Sequence, residues 1–309
     1  MRLLASLFLT SSLAALISTP ANGEVEVVTS IKPLQLIVSA IQDGTGTTRV
    51  LLPPGASPHS FSLRPSDLRN LRSADLMYWI GPDLETFLQP ALEGRQGRTV
   101  AIQDMSGLRI RHFGELAPGN LDEHAGEEDH DDLHRPGSID AHLWLRPENA
   151  RIIASHVAED LTRIDPSQAQ RYKANLAAFS KRLENEDERL KARLGKLDGK
   201  PFFVFHQAFD YFEEAYGLKH AGVLALGTDV QPGARHVAEM RSRLQATGPV
   251  CLFNEPPIRP RLASTLSEGL PVRFAELDAL GFDIQPGPKG YTTLIGKLGD
   301  DLASCLEAL

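Results

Sequence analysis

The sequence predicts an α/β protein of two lobes, each with a mainly parallel sheet flanked by helices, and a long helix that joins the lobes. The first observation is the length, because 309 residues suit two domains of roughly 150 residues each. The second is that short apolar runs alternate with helix-like stretches in both halves, as parallel strands with crossover helices require. The third is one long amphipathic stretch between the halves.

The amino-terminal lobe is predicted over residues 24–164. Its strand-like and helix-like stretches alternate at residues 25–29, 33–42, 48–52, 65–71 and 75–80. The carboxy-terminal lobe is predicted over residues 196–309. Its apolar runs lie at residues 202–205, 223–226, 250–253 and 272–277. Open parallel sheets bind ligands at the carboxyl ends of their strands, so the residues directly after each run are the candidate site residues.

The joining helix is predicted over residues 165–195. Asp165 is a suitable N-cap, Pro166 suits the first turn, and Gly195 suits the end. Apolar residues recur at spacings of three, four or seven: Tyr172, Leu176, Phe179, Leu183, Leu190 and Leu194. A helix of this length extends roughly 43 Å, enough to cross two lobes. The alternative is a long surface helix of one lobe.

Residues 1–23 have the composition of a cleaved secretory signal peptide. Arg2 gives the positive end, residues 3–17 carry no charge, and Ala21 and Gly23 are small residues suited to cleavage. The apolar run is shorter than the roughly 20 residues of a membrane-spanning helix. We therefore expect a freely diffusing periplasmic protein. Its net charge of -8 with no basic block argues against nucleic acid as a partner and favours a cation.

Cys251 and Cys305 are the two cysteines of the chain. A small, even number of cysteines in an exported protein indicates one disulfide. The alternative is two buried free thiols, but these would be open to oxidation outside the cytoplasm.

Three histidines lie where a predicted strand ends or a polar turn begins: His59, His142 and His206. Neutral imidazole is the usual nitrogen ligand of Zn²⁺, and a tetrahedral site needs one further donor. Asp278 follows the apolar run at residues 272–277 and is the best oxygen candidate. A lone histidine in such a place is more often structural, but three in matched positions favour a Zn²⁺ site.

The other histidines fall into two sets. Four are interpreted as structural or solvated: His112, His156, His220 and His236. Three belong to an acidic segment with seven carboxylates, inside a predicted flexible loop at residues 115–138: His124, His130 and His134. Such a segment is often merely a solvated loop, but its donors also suit weak binding of several divalent ions.

The sequence contains no His-Glu-x-x-His, P-loop, Gly-x-Ser-x-Gly or Cys-x-x-Cys motif. Together with export and two lobes, this favours metal capture, and we expect no enzymatic activity. The alternatives are an exported zinc-dependent hydrolase, with Asp278 or Glu255 as its general base, and an extracytoplasmic zinc buffer or adhesin.

Six segments resemble the metal-specific solute-binding proteins of ABC importers (cluster A-I), most closely the periplasmic zinc-uptake members. In chain order they are Gly55-Ala-Ser-Pro-His59, Ser62-Leu-Arg-Pro-Ser-Asp67, Asp140-Ala-His142-Leu-Trp144, Val204-Phe-His206-Gln-Ala-Phe209, Asn254-Glu-Pro256 and Glu276-Leu-Asp278-Ala-Leu-Gly281. The likeness covers nearly all of the mature chain, and the order and intervals of the segments are more specific than any one of them.

The resemblance implies one metal bound in a cleft between two lobes that a rigid helix joins. His59 and His142 would come from the amino-terminal lobe, and His206 and Asp278 from the carboxy-terminal lobe. Manganese-type relatives generally carry a carboxylate at the position of His206. A His-rich acidic loop and a cysteine bridge also match the zinc members. The implied partner is a membrane permease with its ATPase. Other periplasmic metallochaperones are a further expected partner.

Two positions depart from the family pattern. Pro58 stands where some zinc members have a glutamate beside the first histidine, so Asp278 or water must complete the coordination. Ala279 stands where a proline often follows the aspartate, which affects the expected position of Asp278.

Overall fold

In the computed structural model, the described residues are 24–114, 136–225, 233–256 and 261–309. The predicted signal peptide at residues 1–23 lies outside these ranges, as do the histidines of the predicted loop, His124, His130 and His134. The predictions made for these segments stay predictions.

The amino-terminal lobe contains a sheet of four parallel strands. They are β1 (Val25–Thr29), β2 (Gly46–Val50), β3 (Leu76–Trp79) and β4 (Arg98–Ala101). Their order is β2-β1-β3-β4. The strand-like stretches at residues 25–29, 48–52 and 75–80 predicted the first three. Strand β4 was missed because it begins with two exposed residues and so has no apolar run.

The carboxy-terminal lobe repeats this architecture. Its strands are β5 (Phe202–His206), β6 (Gly222–Ala225), β7 (Val250–Asn254) and β8 (Val272–Glu276). They are parallel in the order β6-β5-β7-β8. All five residues of β5 are buried, as expected for a central strand of a sheet covered on both faces. The strand order reverses between β5 and β7, which is where open sheets bind ligands.

Helices cover the sheets and fill the connections. They are α1 (Lys32–Ile41), α2 (Pro65–Ser73), α3 (Gln89–Leu92), α4 (Pro147–Ile164), α5 (Ala169–Leu194), α6 (Asp210–Tyr216), α7 (Ala234–Thr247), α8 (Arg261–Leu266) and α9 (Gly290–Glu307). Helix α4 was not predicted, although Pro147 at its start and buried Ile153, Val157 and Leu161 on one face are a readable signal. None of the described helices combines the length and the hydropathy that a membrane-spanning segment needs.

The joining helix forms as predicted, with 26 residues in α5. The Asp165 carboxylate accepts a hydrogen bond from the Ser167 backbone NH at 3.1 Å and caps a short 3-10 turn before it. The predicted stripe is buried except for Leu176, which is partly buried. Helix α5 packs against α1 and α4 of the first lobe and α9 of the second. It therefore crosses both lobes and is not a surface helix of one.

One apolar core extends from the amino-terminal sheet through α5 to the carboxy-terminal sheet. Smaller apolar clusters cover the other face of each sheet. Because the main core is shared, the two lobes are packed as one body. The predicted boundaries at residues 164/165 and 195/196 stay a prediction.

Cys251 of β7 and Cys305 of α9 form a disulfide with their Cα atoms 6.1 Å apart. The predicted bridge is confirmed, and the alternative of two buried free thiols is wrong. The bond fastens the last helix to the middle of the carboxy-terminal sheet.

Candidate metal site

Three separate segments carry the predicted histidine ligands to one place between the lobes. His59 lies in the loop between β2 and α2, His142 directly precedes the 3-10 turn Leu143–Leu145, and His206 is the last residue of β5. His142 and His206 are buried, and His59 is partly buried. Two of the three therefore come from the amino-terminal half of the chain and one from the carboxy-terminal sheet.

The three imidazole rings form a nearly equilateral triangle. Their ring centroids are 5.5 Å apart for His59 and His142, 5.2 Å for His59 and His206, and 5.1 Å for His142 and His206. Each ring offers one nitrogen such that all three nitrogens lie within 4.8 Å of one another. A single ion at about 2.0 to 2.1 Å from each nitrogen can be held by such a set.

Two carboxylates hold the rings by their Nδ1 atoms. The Nδ1 atom of His142 donates to Oδ1 of Asp140 at 2.9 Å, and Nδ1 of His206 donates to Oε1 of Glu255 at 3.1 Å. A carboxylate at Nδ1 fixes the tautomer and leaves Nε2 as the donor to a metal. Neither residue was assigned this role from the sequence, although Asp140 stands two residues before a candidate ligand and Glu255 directly follows strand β7.

Asp140 has a second, electrostatic property. Its burial and the nearby charge of Asp210 raise its pKa well above the ordinary range, while the hydrogen bond from the His142 backbone NH opposes this effect. A buried carboxylate of this kind is stabilised in its charged form by a nearby cation. The buried carboxylate of Asp140 beside His142 thus favours binding of a cation at the three rings.

The structure does not bring Asp278 into the group of three imidazoles that it describes. The Asp278 carboxylate instead accepts hydrogen bonds from the backbone NH groups of Leu280, Gly281 and Phe282, at 3.0, 2.7 and 2.9 Å. Burial raises the pKa of Asp278, and these NH groups oppose that rise. The assignment of Asp278 as a fourth ligand stays a prediction.

The lobes are fastened to each other beside the three rings. Trp144, whose ring centroid lies 5.4 Å from that of His142, donates its indole NH to the Ala279 carbonyl oxygen at 2.9 Å. Tyr291 of α9 donates its hydroxyl to the Trp144 carbonyl oxygen at 2.7 Å. Two hydrogen bonds, one to the Ala279 carbonyl oxygen and one from the Tyr291 hydroxyl, therefore attach the segment that follows His142 to the carboxy-terminal lobe.

A second fastening lies on helix α6. The Glu214 carboxylate forms ion pairs with three arginines of the amino-terminal half: Arg109, Arg111 and Arg146. The Arg111 backbone NH also donates to the Tyr211 hydroxyl at 2.8 Å. Both lobes contribute to this contact, which opposes wide opening of the cleft.

The four other described histidines differ in their surroundings. His112 pairs with Ile139 in an isolated bridge, His156 contacts the Ser106 carbonyl oxygen, and His236 contacts that of Leu224. His220 differs, because it lies against the carboxylates of Glu213 and Asp210. The sequence did not indicate this acidic surrounding, since a turn after α6 brings the residues together.

Comparison with known proteins gives consistent results. A family model described as "Zinc-uptake complex component A periplasmic" matches residues 27–305. The "High-affinity zinc uptake system protein ZnuA" of Brucella suis biovar 1 is 35% identical over 99% of this chain and 100% of its own length. The protein of the same name from Yersinia pestis is 34% identical over 95% of each chain. A solved structure, "Crystal structure of ZnuA", has a TM-score of 0.76 at 20% identity and covers 92% of this chain and 100% of its own.

Proposed function

Because this chain belongs to the family of periplasmic zinc-uptake components, we propose that it captures Zn²⁺ in the cleft between its lobes and delivers it to a membrane permease. The observation that carries this proposal is the convergence of His59, His142 and His206 from three separate segments. Zinc is the cargo of the protein and is released unchanged.

The donor set accounts for the choice of ion. Three imidazole nitrogens suit Zn²⁺, whereas hard cations such as Mn²⁺ prefer sites richer in oxygen. We propose His59, His142 and His206 as three ligands, with Asp278 or a water molecule in the fourth position. Asp140 and Glu255 would act behind the ligands, because each accepts a hydrogen bond from the Nδ1 atom of a ligand ring.

Delivery requires a partner in the membrane. We propose the permease of an ABC importer with its ATPase, as membership of the family implies. No comparison supports a metallochaperone as a further partner, and we do not propose one. The shared core and the interlobe hydrogen bonds of Trp144 and Tyr291 favour small lobe movements. Release would therefore depend on contact with the permease.

Periplasmic location agrees with the description of the family. Cleavage of a signal peptide at residues 1–23 is part of the proposal. The bridge between Cys251 and Cys305 also suits an oxidising compartment.

Hydrolysis is the weaker alternative on chemical grounds. A zinc hydrolase needs a free general base beside the metal. The two candidates are both engaged, since Glu255 accepts from His206 and Asp278 accepts from three backbone NH groups. No observation favours a zinc buffer or adhesin over the transport role that the family shares.

The test is zinc affinity, measured by competition with a chromophoric chelator, for His59→Ala, His142→Ala and His206→Ala. Each substitution should abolish tight binding and leave the circular dichroism spectrum unchanged, because each removes one of about four bonds to the ion. His156→Ala is the matched control, since His156 lies on α4 and contacts only the Ser106 carbonyl oxygen among the bonds described. Unchanged affinity in any of the three variants would remove that residue from the site. Parallel titration with Mn²⁺ should show weaker binding to the unsubstituted protein.

A further inference from the structure

A second group of metal-ligating side chains lies in the carboxy-terminal lobe, apart from the cleft. Asp210 and Glu213 are three residues apart on helix α6 and therefore share one face of the helix. Gly217 ends the helix with a positive φ of 69°, a conformation that glycine adopts without strain. The chain then turns back and places His220 against the two carboxylates.

The distances in this group suit a bound ion. The Nδ1 atom of His220 lies 2.9 Å from each carboxylate oxygen of Glu213 and 3.7 Å from Oδ1 of Asp210. One ligand atom from each of the three residues can be chosen so that all lie within 4.8 Å of one another. The His220 backbone NH also donates to Oε2 of Glu213 at 3.0 Å, which holds the two residues in register.

The described residues around Asp210 leave one of its carboxylate oxygens without a hydrogen-bond donor. Oδ1 of Asp210 is a buried carboxylate oxygen without a hydrogen-bond donor in the described part of the chain, whereas Oδ2 of Asp210 accepts from Nε2 of Gln207 at 2.8 Å. The nearby Arg111 is shared between Asp210 and Glu214. Buried carboxylate oxygens without donors are unfavourable. A cation beside Asp210 would offset this deficit.

The group is enclosed but within reach of solvent. The side chains of His220, Asp210 and Glu213 are 16%, 12% and 5% exposed. Partial enclosure removes competing water from the ligands, while the exposed edge of His220 leaves a path for an ion.

We propose that Asp210, Glu213 and His220 form a second site for a divalent transition-metal cation such as Zn²⁺, independent of the three-histidine site in the cleft. One imidazole nitrogen and two carboxylates are a donor set that zinc accepts in proteins. The ion would take the place of the proton between His220 and Glu213. Helix α6 directly follows strand β5, which ends at His206. The ion would therefore stabilise the position of α6 next to the cargo site.

The experiment counts bound zinc in the folded mature chain from which residues 122–134 have been deleted, so that the acidic segment contributes no ions. Zinc content is measured by equilibrium dialysis and atomic absorption, and Co²⁺ spectra report the coordination. We expect two Zn²⁺ per chain. His220→Gln and Asp210→Asn should each reduce this to one, with the tight binding event unchanged. Lys219→Gln, beside His220 on the same turn, is the control and should retain two.

The results test the second site independently of the cleft site. One ion in the parent chain that lacks residues 122–134, or two ions in both His220→Gln and Asp210→Asn, would overturn the second site. Should His220→Gln fail to fold, Asp210→Asn and the parent stoichiometry still decide. In His206→Ala, the second site should still bind one ion. Loss of either site therefore leaves one Zn²⁺ per chain, and the two losses are distinguished by the tight binding event, which only loss of the cleft site abolishes, and by their Co²⁺ spectra.

Discussion

Trp144 of the amino-terminal half donates its indole NH across the lobe boundary to the carbonyl oxygen of Ala279, at 2.9 Å. Ala279 directly follows Asp278, and His142 stands two residues before Trp144. One hydrogen bond thus joins the loops that carry two predicted ligands. The geometry of the cleft depends on this contact as well as on the shared core.

Replacing Trp144 by phenylalanine should therefore weaken both the fold and zinc retention. The change removes the donor to a buried carbonyl oxygen, which destabilises by about 1 to 3 kcal/mol. We expect a lower urea midpoint and faster zinc dissociation in stopped-flow chelator competition. Trp79→Phe is the matched control, because Trp79 is also buried but lies in the amino-terminal sheet. Equal dissociation rates in the two variants would show that the interlobe bond has no part in retention.

Glu255→Gln should reduce zinc affinity and leave the fold intact. The carboxylate of Glu255 accepts from Nδ1 of His206, and mutation of such a partner typically lowers metal affinity about 10- to 100-fold. A glutamine oxygen still accepts the hydrogen bond but lacks the charge. Chelator competition measures the change, with the exposed Glu268→Gln as control. An affinity equal to that of the control would mean that Glu255 only positions its own loop.

The parallel fold could be predicted from the sequence because its central strands are continuous apolar runs. Strand β5, with all residues buried, gives a strong signal. Strand β4 lies at an edge with its first residues exposed, so its position depends on pairing with β3, which a local pattern does not contain. Helix α5 was predicted because its buried stripe, and the Asp165 cap of the 3-10 turn directly before it, are local features.

His206 could be predicted because it ends a central strand of a parallel sheet. His59 and His142 lie in a loop and before a 3-10 turn, so their polar turn contexts and the family resemblance indicated them. The partners of these histidines could not be predicted, since Asp140 and Glu255 are recognisable only when the rings are in place. Asp278 shows the limit of the rule. It follows a strand as predicted, but three consecutive backbone NH groups of its own turn compete for its carboxylate.

Removing the disulfide by Cys251→Ala and Cys305→Ala together should destabilise the protein without changing the cargo site. The bond closes a loop with a sequence separation of 54, for which chain entropy gives roughly 4 kcal/mol. Urea unfolding followed by circular dichroism measures the loss, and titration of the unfolded, unreduced parent should find no free thiol. Reduction of the parent should reproduce the effect of the double substitution. A double variant as stable as the parent would show that α9 is held by packing alone.

Glu85 should make the stability of the zinc-free protein depend on pH. It is fully buried, and burial raises its pKa from 4.5 to about 7, against the opposing effects of the Ser30 hydroxyl and the backbone of Gly81 and Ile80. Between those two pH values the folded state keeps a proton that the unfolded state releases. The contribution of Glu85 to stability is therefore present below pH 4.5, falls as the pH rises to 7, and stays low above it.

Glu85→Gln removes this titration, so it should raise the free energy of unfolding at pH 8 by up to about 3 kcal/mol and have little effect at pH 4.5. Urea unfolding at both pH values, with a chelator present to exclude metal, measures the difference. Glu93→Gln, an exposed carboxylate in the same lobe, should change stability little at either pH. The explanation would be wrong if Glu85→Gln and Glu93→Gln showed the same change between the two pH values, because the buried carboxyl would then titrate like an exposed one.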